Sequence, residues 1–253
     1  MASVVNVPAY LARIGYSGST DPTADTLKAL HRAHMLSVPF ENLDIGLKRE
    51  IICDEASSLK KIVDHQRGGF CYELNGAFAA LLRELGFQVT LLSARVSRDD
   101  GTHSPEFDHL ALLVDLEESW LADVGFGDSF VEPLRMQFGI DQLQEGRRFR
   151  LMKAGDSILM ERADPGEEYR PQFAFSLQAR ELQDFAGMCH YHQTSPESHF
   201  TQHRLCSLAT PNGRITLTDG RLIVTRNGQK EETQITSEAA WNAALKQYFG
   251  IVL

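Results

Sequence analysis

Arg67-Gly68-Gly69-Phe70-Cys71-Tyr72-Glu73-Leu74-Asn75 sets a cysteine where a turn becomes a helix. Apolar residues recur at Phe70, Leu74, Ala77, Phe78, Leu81, Leu82 and Leu85, the one-face spacing of an amphipathic helix ending at Gly86. Cys71 is therefore expected in the first turn. Unpaired backbone N–H groups and the positive end of the helix dipole favour a thiolate there, and the thiolate is the reactive form of cysteine. Gly68 and Gly69 allow a tight turn and a close approach of the backbone to a ligand. A buried, inert cysteine on a core helix is the plainer reading of the same residues, so partners elsewhere in the chain decide.

A nucleophilic cysteine needs a base to take its proton and a third group to orient that base. His109 stands on a strand-like run among Phe107, Leu110, Leu112 and Leu113, and Asp123 stands in Leu121-Ala122-Asp123-Val124. An ionisable group among apolar neighbours is costly without a partner, so each residue accounts for the other. Their separation of 14 residues (123 minus 109) suits opposed positions on one hairpin, whose register the sequence leaves open. Asp108 and Asp115 compete for the acid role. Both flank the buried run, where a carboxylate can reach water, and rank below Asp123.

The elements that must position these residues follow from composition and period. The chain has 253 residues, 43% apolar and 23% charged, the profile of a soluble globular protein with room for one large or two to three small domains. No stretch approaches the roughly 18 uninterrupted apolar residues of a membrane span, and Met1 to Asn6 lacks the basic start and the length of a secretory signal. A net charge of −9 argues against a nucleic-acid surface. Four cysteines without a repeated short spacing do not form a disulfide framework. A cytoplasmic protein with no membrane and no nucleic-acid partner is expected.

Residues 1–86 read as a helical unit. Pro8 opens a short helix through Tyr10, Leu11 and Ile14; a second starts at Asp21-Pro22 or Asp25, carries Leu27, Leu30, His34 and Val38, and is broken by Pro39. His31 and His34 could hold a metal at their three-residue spacing, but half-buried surface histidines without a role are the simpler account. Ser58 to His65 reads as a short helix leading into the Cys71 stretch. Residues 87–195 change period. Phe87 to Val96 is strand-like, Phe107–Leu116 and Trp120–Val124 flank a polar turn, and residues 130–180 alternate weakly with turns at Gly146, Gly155 and Asp164-Pro165-Gly166, as in a closed or strongly curved sheet. Arg147, Arg148 and Arg150 fit an exposed strand face better than a phosphate patch. Residues 196–253 carry Asn212-Gly213, Asp219-Gly220 and Asn227-Gly228 between short strand-like runs, then a helix capped by Ser237 with Trp241, Leu245 and Tyr248 on one face.

With these residues in view, the chain resembles the arylamine N-acetyltransferase family. The resemblance rests on Arg67-Gly68-Gly69-x-Cys71, the strand histidine His109, Asp123-Val124-Gly125-Phe126-Gly127 and Val38-Pro39-Phe40-Glu41-Asn42-Leu43, and it runs over nearly the whole length. It implies an α+β fold: an N-terminal helical bundle, a central β-barrel and a C-terminal α/β lid, the first two related to transglutaminase-like thiol enzymes. It implies Cys71 as nucleophile, His109 as base and Asp123 as its orienter. Phe40, Phe126 and Phe200 resemble the family's pocket aromatics, and Val96 with the backbone from Gly125 to Gly127 resembles its substrate and acetyl-CoA contacts. Arg67 and Glu41 read as a buried supporting pair.

The implied reaction is a double displacement. Acetyl-CoA acetylates Cys71, and an arylamine or arylhydrazine then takes the acetyl group while His109 takes a proton. Thioester exchange needs no metal. A thiol hydrolase or peptidase could use the same three residues by admitting water. Cys189, His190, His192, His199, His203 and Cys206 supply ligand types for a structural zinc site, but no Cys-x-x-Cys pair accompanies them.

Overall fold

The computed structural model describes residues 5–253, so residues 1–4 of the stretch read for a leader lie outside the described part. Helix α1 (Val7–Arg13) is capped by Asn6, whose side chain accepts the Ala9 N–H, and α2 (Ala24–Ser37) by Thr23, which accepts the Thr26 N–H. Helix α2 stops just before Val38-Pro39, as the proline requires. Strand β1 (Phe40–Glu41) and α3 (Leu43–Gly46) follow, then α4 (Glu55–Leu59), which widens into a π-helical turn over Lys60–Asp64.

Helix α5 (Cys71–Glu84) is the centre of the first core. Every residue from Cys71 to Leu82 is buried, and the N–H of the preceding Phe70 is held by Glu73 Oε2 at 3.1 Å. Around α5 pack Tyr10, Leu27, Leu30, Ile62 and one face of the next sheet. Gly68 is required where the chain enters this helix, because a Cβ there would land on the Pro39 carbonyl oxygen.

Eight antiparallel strands form the second layer: β2 (Gln88–Val96), β3 (His109–Asp115), β4 (Ser119–Ala122), β5 (Leu134–Arg135), β6 (Gln142–Gln144), β7 (Arg147–Ala154), β8 (Ser157–Ala163) and β9 (Arg170–Arg180), in the order β5-β4-β3-β2-β9-β8-β7-β6. Side-chain amides join the two edge strands. Gln142 accepts the Arg135 N–H at 2.8 Å and donates to the Arg135 carbonyl at 3.0 Å, and Gln144 makes equivalent bonds to Val131 and Glu132. These amides replace the missing ladder, leave the sheet nearly closed and cover both edges. Alternation along β3 splits its residues between two cores: Leu110, Leu112 and Val114 pack toward α5, whereas Ala111 joins Leu92, Leu121, Phe149 and Phe173 inside the barrel.

A 3-10 turn (Leu182–Phe185), α6 (Ala186–Thr194) and α7 (His199–Gln202) lead into β10 (Leu205–Thr210), β11 (Gly213–Thr218), β12 (Arg221–Arg226), β13 (Gln229–Gln234) and α8 (Glu238–Phe249). The four strands form a meander with two-residue connections, and α8 begins at the Ser237 cap and ends at Gly250 with φ 69°. Trp241, Leu245 and Phe249 close a third core with Cys206, Leu217 and Leu222. The meander is not detached, because β1 from the helical unit is its first strand, in the order β1-β10-β11-β12-β13. Asn42 fastens the junction, donating to the carbonyls of Phe200 and His203 at 3.0 and 2.7 Å and accepting the Leu205 N–H at 2.8 Å. No helix among the described residues is long and apolar enough to cross a membrane.

Candidate active site

The start of α5, the start of β3 and the loop after β4 converge. His109 Nε2 lies 2.7 Å from Asp123 Oδ2, with both residues buried. The carboxylate can only accept, so Nε2 carries the proton and Nδ1 is the nitrogen able to take one. Asp123 Oδ1 accepts from Asn75 Nδ2 at 2.8 Å and from the Gly125 N–H at 2.9 Å. Asn75 stands one turn along α5 from Cys71. It also donates to the Leu110 carbonyl at 2.6 Å and accepts the Val124 N–H at 2.9 Å, locking helix, strand and loop together. The ladder ends at Leu112 opposite Ala122, so continuing the register sets Asp123 across from Ala111 rather than from His109. The two meet diagonally, on one face of the hairpin.

The same loop presses on the cysteine. A Cβ on Gly125 would lie 2.8 Å from Cys71 Cα and 2.7 Å from Asn75 Nδ2, closer than packed atoms allow. Burial pushes the Cys71 thiol well above its ordinary range, the Asp108 and Asp123 carboxylates push it the same way, and the Leu110 N–H opposes them. Burial at this helix start therefore opposes the ionisation that the helix dipole favours. Ionising the sulfur requires a proton acceptor that becomes a cation beside it.

His31 is a residue that the sequence reading left without a role. Both His31 and His34 are 0% exposed, not half-buried on the surface. His31 Nδ1 lies 2.8 Å from the Val131 carbonyl, which fixes its proton there, and Nε2 accepts the Asp123 N–H at 3.1 Å. Burial lowers its pKa to about 4, so a neutral imidazole braces the backbone of Asp123. The signal was present, since Leu27, Leu30, His31 and His34 stand at i, i+3, i+4 and i+7 on the buried stripe of α2.

Three comparisons bear on this constellation. A profile described as N-acetyltransferase matches residues 23–253. The arylamine N-acetyltransferase of Escherichia coli (strain K12) is 36% identical over 246 residues, covering 96% of this chain and 87% of that one. The chain belongs to the arylamine N-acetyltransferase family. The solved arylamine N-acetyltransferase from Salmonella typhimurium superposes with a TM-score of 0.92 at 34% identity, covering 97% of this chain and 90% of the other. The Mycobacterium marinum family member solved in complex with CoA superposes at 0.91 with 31% identity, covering 97% and 93%. The protein is an acetyltransferase with the α+β architecture of that family.

The enzyme's other expected site residues fall into distinct groups. Phe126 stands edge-on to His109 with centroids 5.1 Å apart, and Phe173, which the sequence reading missed, packs on both. Phe40 and Phe200 are 6.0 Å apart, and a Cβ on Gly127 would lie 3.8 Å from the Phe40 ring, so these three share one wall. Val96, at the end of β2, is paired with the same Phe173 and donates its N–H to Ser104 Oγ at 2.7 Å.

Arg67 and Glu41 do pair, at 2.8 Å, but within a larger cluster. Lys61 bonds Asp44 and Glu73 at 2.8 Å each, and Arg67 reaches Asp44 at 3.2 Å. Burial pushes Glu73 up to about 7 against the pull of Lys61. Asp108, the rival acid, is half-buried and 3.0 Å from His192 Nε2 rather than open to water, and no bond joins it to His109. Arg147 pairs with Asp128 and Asp164, and Arg150 with Glu161. The residues weighed for zinc are dispersed: Cys189 and Cys206 lie in different cores, and among the described residues no three His, Cys, Asp or Glu side chains gather as metal ligands.

Proposed function

We propose that the enzyme transfers the acetyl group of acetyl-CoA to the amino group of an arylamine or arylhydrazine through an acetyl-Cys71 intermediate. The carrying observation is the buried 2.7 Å contact of His109 with Asp123, tied through Asn75 to the helix that starts at Cys71. His109 Nδ1 takes the thiol proton, and the imidazolium, steadied by Asp123, makes the thiolate affordable where a bare one is not. The sulfur attacks the thioester carbonyl, CoA leaves as its thiolate and recovers the proton from His109. In the second half the amine nitrogen attacks acetyl-Cys71, His109 removes its proton, and that proton returns to the departing sulfur.

Arylamines suit this scheme because their weakly basic nitrogen is unprotonated at neutral pH. Phe40, Phe126 and Phe200 would stack on the acceptor ring, while Val96 and the backbone of Gly125 and Gly127 would line the acyl-donor side. Residues 196–253 would cover the acyl-enzyme and restrict water, with Phe200 on their inner surface. The CoA seen in the Mycobacterium marinum relative supports acetyl-CoA as donor, and no step draws on a metal. A reducing cytoplasm would keep Cys71 free.

Isotope exchange tests the scheme. With no amine present, labelled CoA should enter acetyl-CoA at a rate comparable to turnover, and initial rates with both substrates varied should give parallel reciprocal lines. Intersecting lines without exchange would reject the covalent intermediate.

A further inference from the structure

His192 connects the entry to β3 with the wall that carries Phe200. It is buried on α6, and its Nε2 lies 3.0 Å from Oδ1 of Asp108, the residue before His109. Its Nδ1 lies 3.2 Å from Ser198 Oγ. That oxygen already accepts the Phe200 N–H at 3.3 Å, which leaves the hydroxyl proton for Nδ1. The proton of a neutral ring then sits on Nε2, facing the Asp108 carboxylate. Ser198 is the cap of α7, the short helix on which Phe200 stands. The His192 ring also meets the half-buried Phe200 ring directly. Their centroids are 5.2 Å apart with planes at 78°, a closer approach than the 6.0 Å of Phe40 or Phe70.

The Asp108 end of this connection is fixed by the helix that carries the cysteine. Tyr72, which follows Cys71 on α5, directs its hydroxyl at the carbonyls of Phe107 and Asp108, at 2.8 and 3.1 Å. Phe107 has φ 66°, a conformation that a bulky residue keeps only where its surroundings enforce it. Asp108 is thus held from α5 through its backbone and passes its position through His192 to Phe200. We infer that His192 is a positioning residue that fixes the Phe200 ring and so sets the enzyme's preference for aromatic over aliphatic acceptors, a role that rests on Phe200 lining the acceptor site as proposed above. An acetyl group has no ring for Phe200 to stack on. Acetylation of Cys71 is therefore independent of His192, and only the acceptor half of the reaction depends on it.

Phenylhydrazine and methylhydrazine offer the same nucleophilic group with and without a ring, and exchange of labelled CoA into acetyl-CoA without an acceptor reports the first half-reaction alone. In His192→Ala, kcat/KM for phenylhydrazine should fall about tenfold, the worth of one well-placed aromatic contact, while methylhydrazine turnover and the exchange rate stay within about twofold of wild type. Ser198→Ala removes the cap and the Nδ1 partner without opening a cavity, and should shift the phenylhydrazine to methylhydrazine ratio in the same direction. An unchanged ratio in the folded variants, or a parallel fall of all three rates, would overturn the role of His192. A folded wild-type enzyme that shows no exchange would instead remove the acyl-enzyme scheme, and this role would fall with it.

Discussion

Two buried polar clusters meet at the start of α5, and they differ in kind. On the barrel side Asn75, the Gly125 N–H, His109 and, through the backbone, His31 surround the Asp123 carboxylate with directed bonds. On the opposite side Glu41, Asp44, Lys61, Arg67 and Glu73 hold one another by ion pairs. Neutral, directional partners fix the orientation and tautomer of a single ring, which is what proton transfer needs. Mutually compensating charges fix where two segments of chain lie, here residues 39–44 and the entry to α5. In the proposed scheme the first cluster serves proton transfer and the second holds chain segments in place.

The sharpest way to break that comparison is Asp123→Asn. It should leave the fold intact and reduce acetyl transfer on the order of a thousandfold or more, while Asp108→Asn, which disturbs only the His192 pair, does much less. Comparable losses in two folded variants would remove Asp123 from its role. Next in size, Glu41→Ala leaves Arg67 undercompensated in a buried site and should lower stability by about 3 to 5 kcal/mol in denaturant titrations, with the folded fraction still active. An unchanged midpoint with lost activity would mean that the ion cluster takes part in the chemistry.

Gly125→Ala probes the contact between the two sides. The added Cβ forces the loop off Cys71 Cα, and a displacement of that size should reduce kcat by about a hundredfold, with a loss of about 1 to 3 kcal/mol in stability from overpacking. Wild-type kcat would show that the close approach is incidental. The smallest effect is on pH dependence. Glu73 holds its proton up to about 7 when folded, against 4.5 as its ordinary value, so the folded state binds a proton that the unfolded state has lost between those limits. Stability should therefore fall as pH rises through that window, and Glu73→Gln should flatten the slope in urea midpoints taken across it.

Much of this was legible in the sequence where one period dominates. The Phe70 to Leu85 spacing marked α5 and put Cys71 at its start, the Asn-Gly and Asp-Gly pairs marked the meander, and Ser237 marked α8. The misplaced charges His109 and Asp123 marked their own pairing. Their diagonal offset was hidden because a hairpin's register depends on its turn and on both cores together. His31 was passed over by residue type, although its spacing was that of a buried face. Asp44, Lys61 and Glu73 were missed because a charge cluster assembled from β1, α3, the π-helical turn and α5 has no local signature. The upward push on the Cys71 thiol was hidden for a related reason: the helix start is local, whereas the burial that opposes it comes from strands and loops distant in the chain.

The most direct test of the central claim is the intact mass of the enzyme after mixing with acetyl-CoA and again after adding an arylamine. The account predicts one acetyl adduct, mapped to Cys71 and absent in Cys71→Ser, that persists until the amine arrives and then disappears as acetylated amine forms. An enzyme that turns over with no adduct, or an adduct that the amine does not discharge, would contradict it.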